Sequence, residues 1–492
     1  MTTTAPQAGD TDVPWLDRAF RITERGSTVG GEIRGGFVTF FAMAYILVLN
    51  PLILSGPDSM GGYLGGGDEA NIPAIAAATA LVAGLCSILM GAVANYPLAL
   101  AAGMGLNAFV MYGVASLPGM TWADAMGLVV LEGIAIFVLA LTGLREKVFL
   151  AVPRALKVAI TVGIGLFIAF IGLVDGGIIR PAAGTPVELG VGGYLTGWPT
   201  VVFLVGLFLI AILMVRKVRG AILIGIGVAA VLAIVLEAVT TIGPGGEDNA
   251  TGWSSNVPAL PGSFGELVQL PDFSTLGQVS LFGAFTSPIG WLAALLLAFS
   301  LMLTDFFDTM GTMVAVGAEG DLLDEDGNPP HTRRILLVDA IGTSGGGLAG
   351  ASTATSFIES AAGVADGART GLAPIVTGTA FLGAIFLAPL TALIPFEAAT
   401  PALVIVGFMM MTQVTAIPWK DLAVALPAFL TIIFMPFSYS IATGIGVGFI
   451  AYTVLTATRR GGFKQVHWIM WISAAAFVVY FISGPLQEFL LG

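Results

Sequence analysis

Charge is scarce in this chain. Of its 492 residues only 10% are Asp, Glu, Lys or Arg, against roughly 25% in soluble globular proteins, which excludes an ordinary water-soluble domain of this length. A single cysteine, Cys86, excludes an intrachain disulfide and a thiolate metal cluster; its expected role is packing inside an apolar helix. The two histidines, His331 and His467, fall at helix edges where solvation is expected. The apolar segments therefore offer neither a nucleophile with its His base nor a metal cluster, and enzyme chemistry is not expected. No Gly-rich phosphate loop with its lysine occurs, so ATP does not power this chain directly. No basic cluster exists to follow a nucleic-acid backbone, and the net charge of -12 comes mainly from loops. The stretch "DLLDEDGNPP" (321–330) lacks the ligand spacing and closing Glu of a calcium loop and reads as a turn. No cofactor and no metal are expected.

Apolar residues are plentiful at 56%. A helix needs about 20 mainly apolar residues to cross the hydrocarbon layer, so the chain is expected to be an all-α polytopic membrane protein in contact with lipid. Candidate helices cover 36–54, 73–94, 98–113, 125–143, 155–174, 199–216, 220–243, 288–314, 334–351, 352–364, 371–395, 400–415, 422–437 and 439–457. Two of them, 98–113 and 352–364, are short and interrupted by small or polar residues. A further apolar run covers 467–484. As a fifteenth crossing it would place the carboxyl terminus outside; otherwise it lies in the interface, or 422–457 forms a pair of half-spanning helices. The 66 glycines suit close helix approach and need no functional account.

The first 22 residues lack the apolar core of a signal peptide, which predicts a cytoplasmic amino terminus. Basic residues test this, because they resist transfer out of the cytoplasm. With 36–54 running outward and strict alternation thereafter, all but one of the 19 Lys and Arg residues fall inside. They include Arg18, Arg21, Arg25 and Arg34 before the first helix, Arg145, Lys147, Arg154 and Lys157 after the fourth, and Arg216, Lys217 and Arg219 in one tight turn. Arg180 is the exception. The loop 244–287 carries Glu247, Asp248, Glu266 and Asp272 with no basic residue, as an external loop should.

The two short segments point to an internal repeat. "YPLALAAGMGLNAFVMYG" (96–113) and "STATSFIESAAGV" (352–364) each follow a helix rich in small residues, and each has a few residues suited to extended chain before a helical run. Asn107 and Glu359 occupy comparable places in them, and "GIGV" recurs at 225–228 and 444–447. Each half holds seven helices. Because seven is odd, the second half enters the membrane from the opposite side, giving a 7+7 inverted repeat.

"DFFDTMGT" (305–312) places Asp305, Asp308, Thr309 and Thr312 at i, i+3, i+4 and i+7, on one side of a helix. A charged carboxylate at the bilayer centre costs about 2.5 kcal/mol or more, so that side lines a wet cavity or pairs internally. For Asp305 alone, a structural polar cluster or a helix end at the surface is the competing reading. Glu359, in the second interrupted segment, favours a polar pocket at mid-membrane, since non-helical backbone there must be answered by protein, water or ligand. Gly103 and Gly105 allow close approach to a flat ligand. Asn107 is either a cap at a kink or a ligand group offering donor and acceptor. Glu132 and Asp339 lie inside apolar helices, where bridging helices is favoured over a relay. Poorly solvated carboxylates can couple transport to protons: one proton crossing about 100 mV releases about 2.3 kcal/mol, enough for roughly fiftyfold accumulation of a neutral solute.

"FVTFFAMAYILVLNPLIL", "NYPLALAAGMGLNAF", "DFFDTMGT" and "STATSFIESAAGVADGARTGL" together resemble the AzgA-like purine permeases of the nucleobase:cation symporter-2 group, over about residues 15–457. The resemblance implies core helices 1–4 (36–143) and 8–11 (288–395), gate helices 5–7 (155–243) and 12–14 (400–457), and elevator-like motion between them. Segment 1–35 is then cytoplasmic, 244–287 an extracellular loop, and 458–492 a carboxyl-terminal segment whose apolar run departs from the family. It further implies proton-coupled uptake of adenine, guanine or hypoxanthine at the cell membrane, with sodium coupling and a homodimer both left open. Position by position, it makes Asp305 and Glu359 purine-binding acids, Asn107 a polar helix-3 contact, and Thr355 and Ser356 backbone contributors. Asp308, with Glu359, takes the proton-coupling role. The nearest alternative keeps the fold and carries xanthine, uracil or an inorganic anion such as sulfate.

Overall fold

The computed structural model describes residues 15–142, 152–182, 184–246, 248–254, 256–260, 262–263, 267–325 and 328–491, the side chains of Phe307 and 483–491 excepted. Residues 1–14, Arg145, Lys147, Glu247 and Glu266 of the charge argument, and Asp326 and Gly327 of the acidic turn lie outside them. A short helix, Trp15–Phe20, comes first. Then follow α1 (Val29–Leu54), α2 (Ile72–Ala94), β1 (Leu100–Ala102), α3 (Met104–Ala115) and α4 (Trp122–Thr142). The first half ends with α5 (Arg154–Asp175), the small ribbon of β2 (Ile179–Arg180) and β3 (Glu188–Leu189), α6 (Trp198–Val215) and α7 (Ala221–Thr240). The second half repeats the order with α8 (Trp291–Glu319), α9 (Thr332–Ala349), β4 (Ala354–Ser356), α10 (Ser360–Ala365), α11 (Leu372–Leu393), α12 (Phe396–Ala416), α13 (Leu422–Phe437) and α14 (Ile441–Ala457).

Local chemistry sets several boundaries. Thr28, Asn71, Asp421 and Ser440 each turn a side-chain oxygen onto a free N–H in the first turn of α1, α2, α13 and α14, at 3.0, 3.1, 3.2 and 3.2 Å. The extended residues expected before each short helix pair with one another: β1 and β4 run antiparallel, with Ala101 opposite Thr355. Gly103 N–H to Thr353 O and Phe357 N–H to Ala99 O, both 2.9 Å, lengthen the ladder. Its outer edges are closed by hydroxyls. Ser87 of α2 donates to Leu100 O at 3.0 Å and accepts from Leu100 N at 2.9 Å, while Ser360 accepts from Ala99 N at 3.0 Å. These backbone groups of the ladder are thus answered by protein and not left to lipid.

The helices pack as two bundles. α1–α4 and α8–α11 form the first, with α4 against α9 and α11 against both α1 and α2; α5–α7 and α12–α14 form the second, with α5 against α12 and α13. Glycines meet where helices cross. A Cβ at Gly371 of the α10–α11 turn would stand 2.1 Å from Gly91 O, and one at Gly407 of α12 would stand 2.3 Å from Gly165 O of α5.

The apolar run after Arg460 forms a further helix, α15 (Trp468–Leu491). Phe477 packs on Phe449, and Phe477 and Phe481 lie over Gly446, so α15 returns alongside α14. These contacts span one turn of each helix, Phe477 and Phe481 against Gly446 and Phe449. α13 and α14, at 16 and 17 residues, remain separate helices shorter than a full crossing.

Polar contacts join the bundles at both ends. Ser254, after α7, donates through N and Oγ to Glu397 of α12 at 2.8 and 2.7 Å, and two residues later Asn256 donates to Ala392 O of α11 at 2.7 Å. At the other end Asp366, after α10, pairs with Arg34 of α1 and, at 2.5 Å, with Arg219 between α6 and α7.

Gly407→Ala and Gly371→Ala are each expected to lower stability by about 1–3 kcal/mol through overpacking, read as a reduced thermal midpoint of the detergent-purified protein. Burial opposes ionisation of Asp366, but Arg34 and Arg219 together hold its carboxyl below the usual value of 3.8. Stability from this group is therefore present above pH 3.8 and lost as pH falls through the lower folded value. The thermal midpoint of Asp366→Asn should sit below wild type by a constant amount from neutral pH down to about pH 5, with the gap closing only in stronger acid.

Candidate functional site

The β1–β4 ladder aims the starts of α3 and α10 at the seam between the bundles. There a cavity of about 470 Å³ is lined from the first bundle by Tyr45, Gly103, Asp308, Thr312, Thr355, Ser356 and Glu359, and from the second by Thr161, Met409, Met410 and Gln413. This is the size and lining, apolar with a few convergent polar groups, of a small-molecule site. A recess of about 30 Å³ beside it is bounded by Lys157, Thr304 and the same Asp308.

The polar side of α8 divides in two. Asp308 and Thr312 face the cavity. Asp305 and Thr309 are turned to α9: Thr343 Oγ1 donates to Asp305 Oδ2 at 2.8 Å, and Thr309 Oγ1 donates to Asp339 Oδ1 at 2.8 Å. Three residues advance a helix by about 300°, so 305 and 308 lie about 60° apart, enough for neighbouring stripes to meet different surroundings. Glu359 sits at the entry of α10, where the Tyr45 hydroxyl donates to Oε1.

Of the residues singled out from sequence, Asp308, Glu359, Thr355 and Ser356 come together on one wall. Asp305 and Asn107 do not line it, and both are fully buried. Asn107 Nδ2 donates to Asn50 Oδ1 at 2.5 Å, and Asn50 donates onward to Thr79 Oγ1 at 2.7 Å and Ala351 O at 3.1 Å, so this amide ties α3 to α1, α2 and the approach to β4. Glu132 and Asp339 are buried with Asp305 in the first bundle.

Sequence reasoning missed Tyr45, Tyr112, Lys157 and Asp175. The signal for Tyr45 was present, since a phenol inside an apolar helix needs a partner for its hydroxyl. Tyr112 of α3 stacks edge-on against Phe167 of α5 and Tyr439 after α13, at 6.3 and 5.5 Å between ring centroids. Its hydroxyl reaches Asp175 at 3.4 Å. This aromatic plug fills the seam at one end, while Thr312, Thr412 and Gln413 border the cavity toward the other. Such an arrangement can hold a flat, uncharged, hydrogen-bonding solute and expose it to one side.

Known proteins share the sequence and the architecture. The guanine/hypoxanthine permease PbuG of Bacillus subtilis is 38% identical over 470 residues, covering 94% of this chain and 98% of that protein. The adenine permease AdeP of Escherichia coli is 36% identical over 440 residues, covering 89% and 90%. Among solved structures, the transmembrane domain of the cyanobacterial bicarbonate transporter BicA superposes with a TM-score of 0.58 at 18% identity, over 84% of this chain and 97% of that one, which shows the 7+7 inverted-repeat fold of core and gate. The profile of the Permease family matches residues 30–447. This multi-pass membrane protein is thus a permease and not an enzyme, and it belongs to the Permease family as an AzgA-like member of the nucleobase:cation symporter-2 group.

Proposed function

We propose that this permease takes up purine nucleobases, adenine, guanine or hypoxanthine, across the cell membrane together with protons. The observation that carries the reading is the presence of Asp308 and Glu359 on one wall of a membrane cavity with Thr355 and Ser356. Purine N–H groups donate to carboxylates, ring nitrogens accept from hydroxyls and backbone N–H groups, and no cationic partner is required. Two relatives are named for guanine/hypoxanthine and for adenine, all of them purines. An anion such as bicarbonate or sulfate fits poorly beside two carboxylates, and the one ammonium in the adjoining recess, Lys157, shares that recess with Asp308.

In this reading the first bundle is the core that carries the base and the second is the gate. With the amino terminus in the cytoplasm, the ends of α8 and α12 beyond Thr312 and Gln413 are cytoplasmic, so the cavity faces inward and the Tyr112 plug seals the outside. Asp308 and Glu359 contact the base and exchange the coupling proton with cavity water. Asp305 and Asn107 support the wall from behind, Asp305 through Thr343 and Asn107 through Asn50. Elevator-like travel of the core then exposes the site to the other side.

Membrane vesicles loaded by labelled adenine or hypoxanthine uptake provide the test. Unlabelled hypoxanthine, guanine or adenine should compete strongly and uracil weakly, and an inward pH gradient should raise accumulation where a sodium gradient does not. Glu359→Gln removes a charge-assisted hydrogen bond worth about 1.5–3 kcal/mol, a loss of roughly ten- to hundredfold in uptake. Asp308→Asn should abolish pH-driven accumulation more completely than it weakens base binding. Full transport by Glu359→Gln would remove that residue from the mechanism, and equal competition by uracil or sulfate would replace the substrate class.

A further inference from the structure

Behind the cavity wall lie three carboxyls outside the base-contacting set: Glu132 of α4, Asp305 of α8 and Asp339 of α9, each at most 1% exposed. Each is half satisfied. Thr353 donates to Glu132 Oε2 at 3.3 Å, Thr343 to Asp305 Oδ2 at 2.8 Å, and Thr309 and Ser356 to Asp339 Oδ1 at 2.8 and 2.9 Å. The other oxygen of each, Glu132 Oε1, Asp305 Oδ1 and Asp339 Oδ2, is buried with no donor. The Glu132 and Asp305 carboxyls also lie within hydrogen-bonding reach of one another.

Two carboxylates at that separation, away from water, cannot both be ionised. Among the described residues no ion pair with Lys, Arg or His reaches any of the three. The other titratable groups facing the cluster are Asp308 from α8 and Cys86 from α2, neither of them a cation; β4 brings only hydroxyls. A metal ion fits less well than a proton. The hydroxyls already spend their hydrogens on the carboxyls, whereas a cation needs bare oxygens converging at about 2.3–2.6 Å. Among the described residues no group of acids, His or Cys is arranged to hold one.

We infer that Glu132 and Asp305, with Asp339 beside them, form a second, proton-holding site in which one proton bridges the Glu132 and Asp305 carboxyls and reports the state of the base site. The link is short. Thr355, which lines the cavity, touches Thr309 hydroxyl to hydroxyl at 2.9 Å, and Thr309 bonds Asp339; Ser356, also on the cavity wall, bonds the same Asp339 oxygen. A base drawing on the Thr355 and Ser356 hydroxyls changes the donors left for Asp339, and so the tendency of the cluster to keep its proton. This inference rests on the proton-coupled reading above and places a coupling proton away from the substrate.

The test is the pH dependence of base binding. In detergent-purified wild type, the affinity for labelled hypoxanthine should change by about fivefold or more between mildly acid and mildly alkaline pH, the lower end of ordinary site-to-site coupling. Glu132→Gln keeps the shape and a hydrogen bond but cannot take up a proton, and should flatten that profile to less than about twofold. A wild-type profile retained in Glu132→Gln overturns the inference, as does an affinity that follows sodium and ignores pH. Should the variant not fold, the wild type alone decides: its infrared spectrum at neutral pH should contain the C=O stretch of a protonated buried carboxyl that shifts in heavy water, and absence of that band overturns the site. If wild-type vesicles fail to concentrate purine on a pH gradient, the coupling reading of the preceding section falls, while the shared proton is still judged by the infrared band.

Discussion

A three-residue ladder deep between the helices, β1 against β4, is the constraint on which the rest depends. Helices close their own hydrogen bonds, but a chain that leaves the helix inside a membrane must find partners for every N–H and C=O it frees. Here each interrupted segment is the other's partner, and the serines of α2 and α10 answer the groups at the margins. The cavity follows from this pairing. With the extended chains locked together, Gly103, Thr355 and Ser356 present backbone and small side chains to one open space, and Glu359 arrives at its edge.

Most of the architecture was legible because it rests on patterns that survive without tertiary detail: apolar runs of the right length and a repeated order of long and short segments. The ladder itself was only half legible. Extended chain was expected before each short helix, but Leu100, Ala101 and Ala102 are strong helix formers and nothing in them names a partner; pairing with Ala354–Ser356 overrides their propensity. α15 was visible as an apolar run, but its placement depends on Phe477 meeting Phe449, a contact between segments that periodicity does not encode.

The site was legible by residue type and less so by direction. Reading Asp305, Asp308, Thr309 and Thr312 as one side of a helix was correct in spacing, yet a helix side is wide enough to meet both a cavity and a neighbouring helix. Which acid faces which depends on the rotation of α8, set by its packing against α4 and its hydrogen bonds to α9. Asn107 illustrates the same limit: its buried partner, Asn50, lies 57 positions away and carries no local mark of the pairing. Tyr45, by contrast, is one residue whose partner could have been sought from sequence, because a phenol in an apolar helix rarely goes unanswered.

The attachment of the loop after α7 has a mechanical consequence. Ser254 is held by the second bundle and Asn256 by the first, and two residues of chain reach at most about 7 Å. While both grips hold, that corner, where α11 hands over to α12, acts as an anchor point, and one bundle cannot slide past the other uniformly. In the proposed motion of the core, displacement would grow with distance from the anchor, a carried base would follow an arc, and the Arg219–Asp366 pair far from the corner would meet the largest displacement.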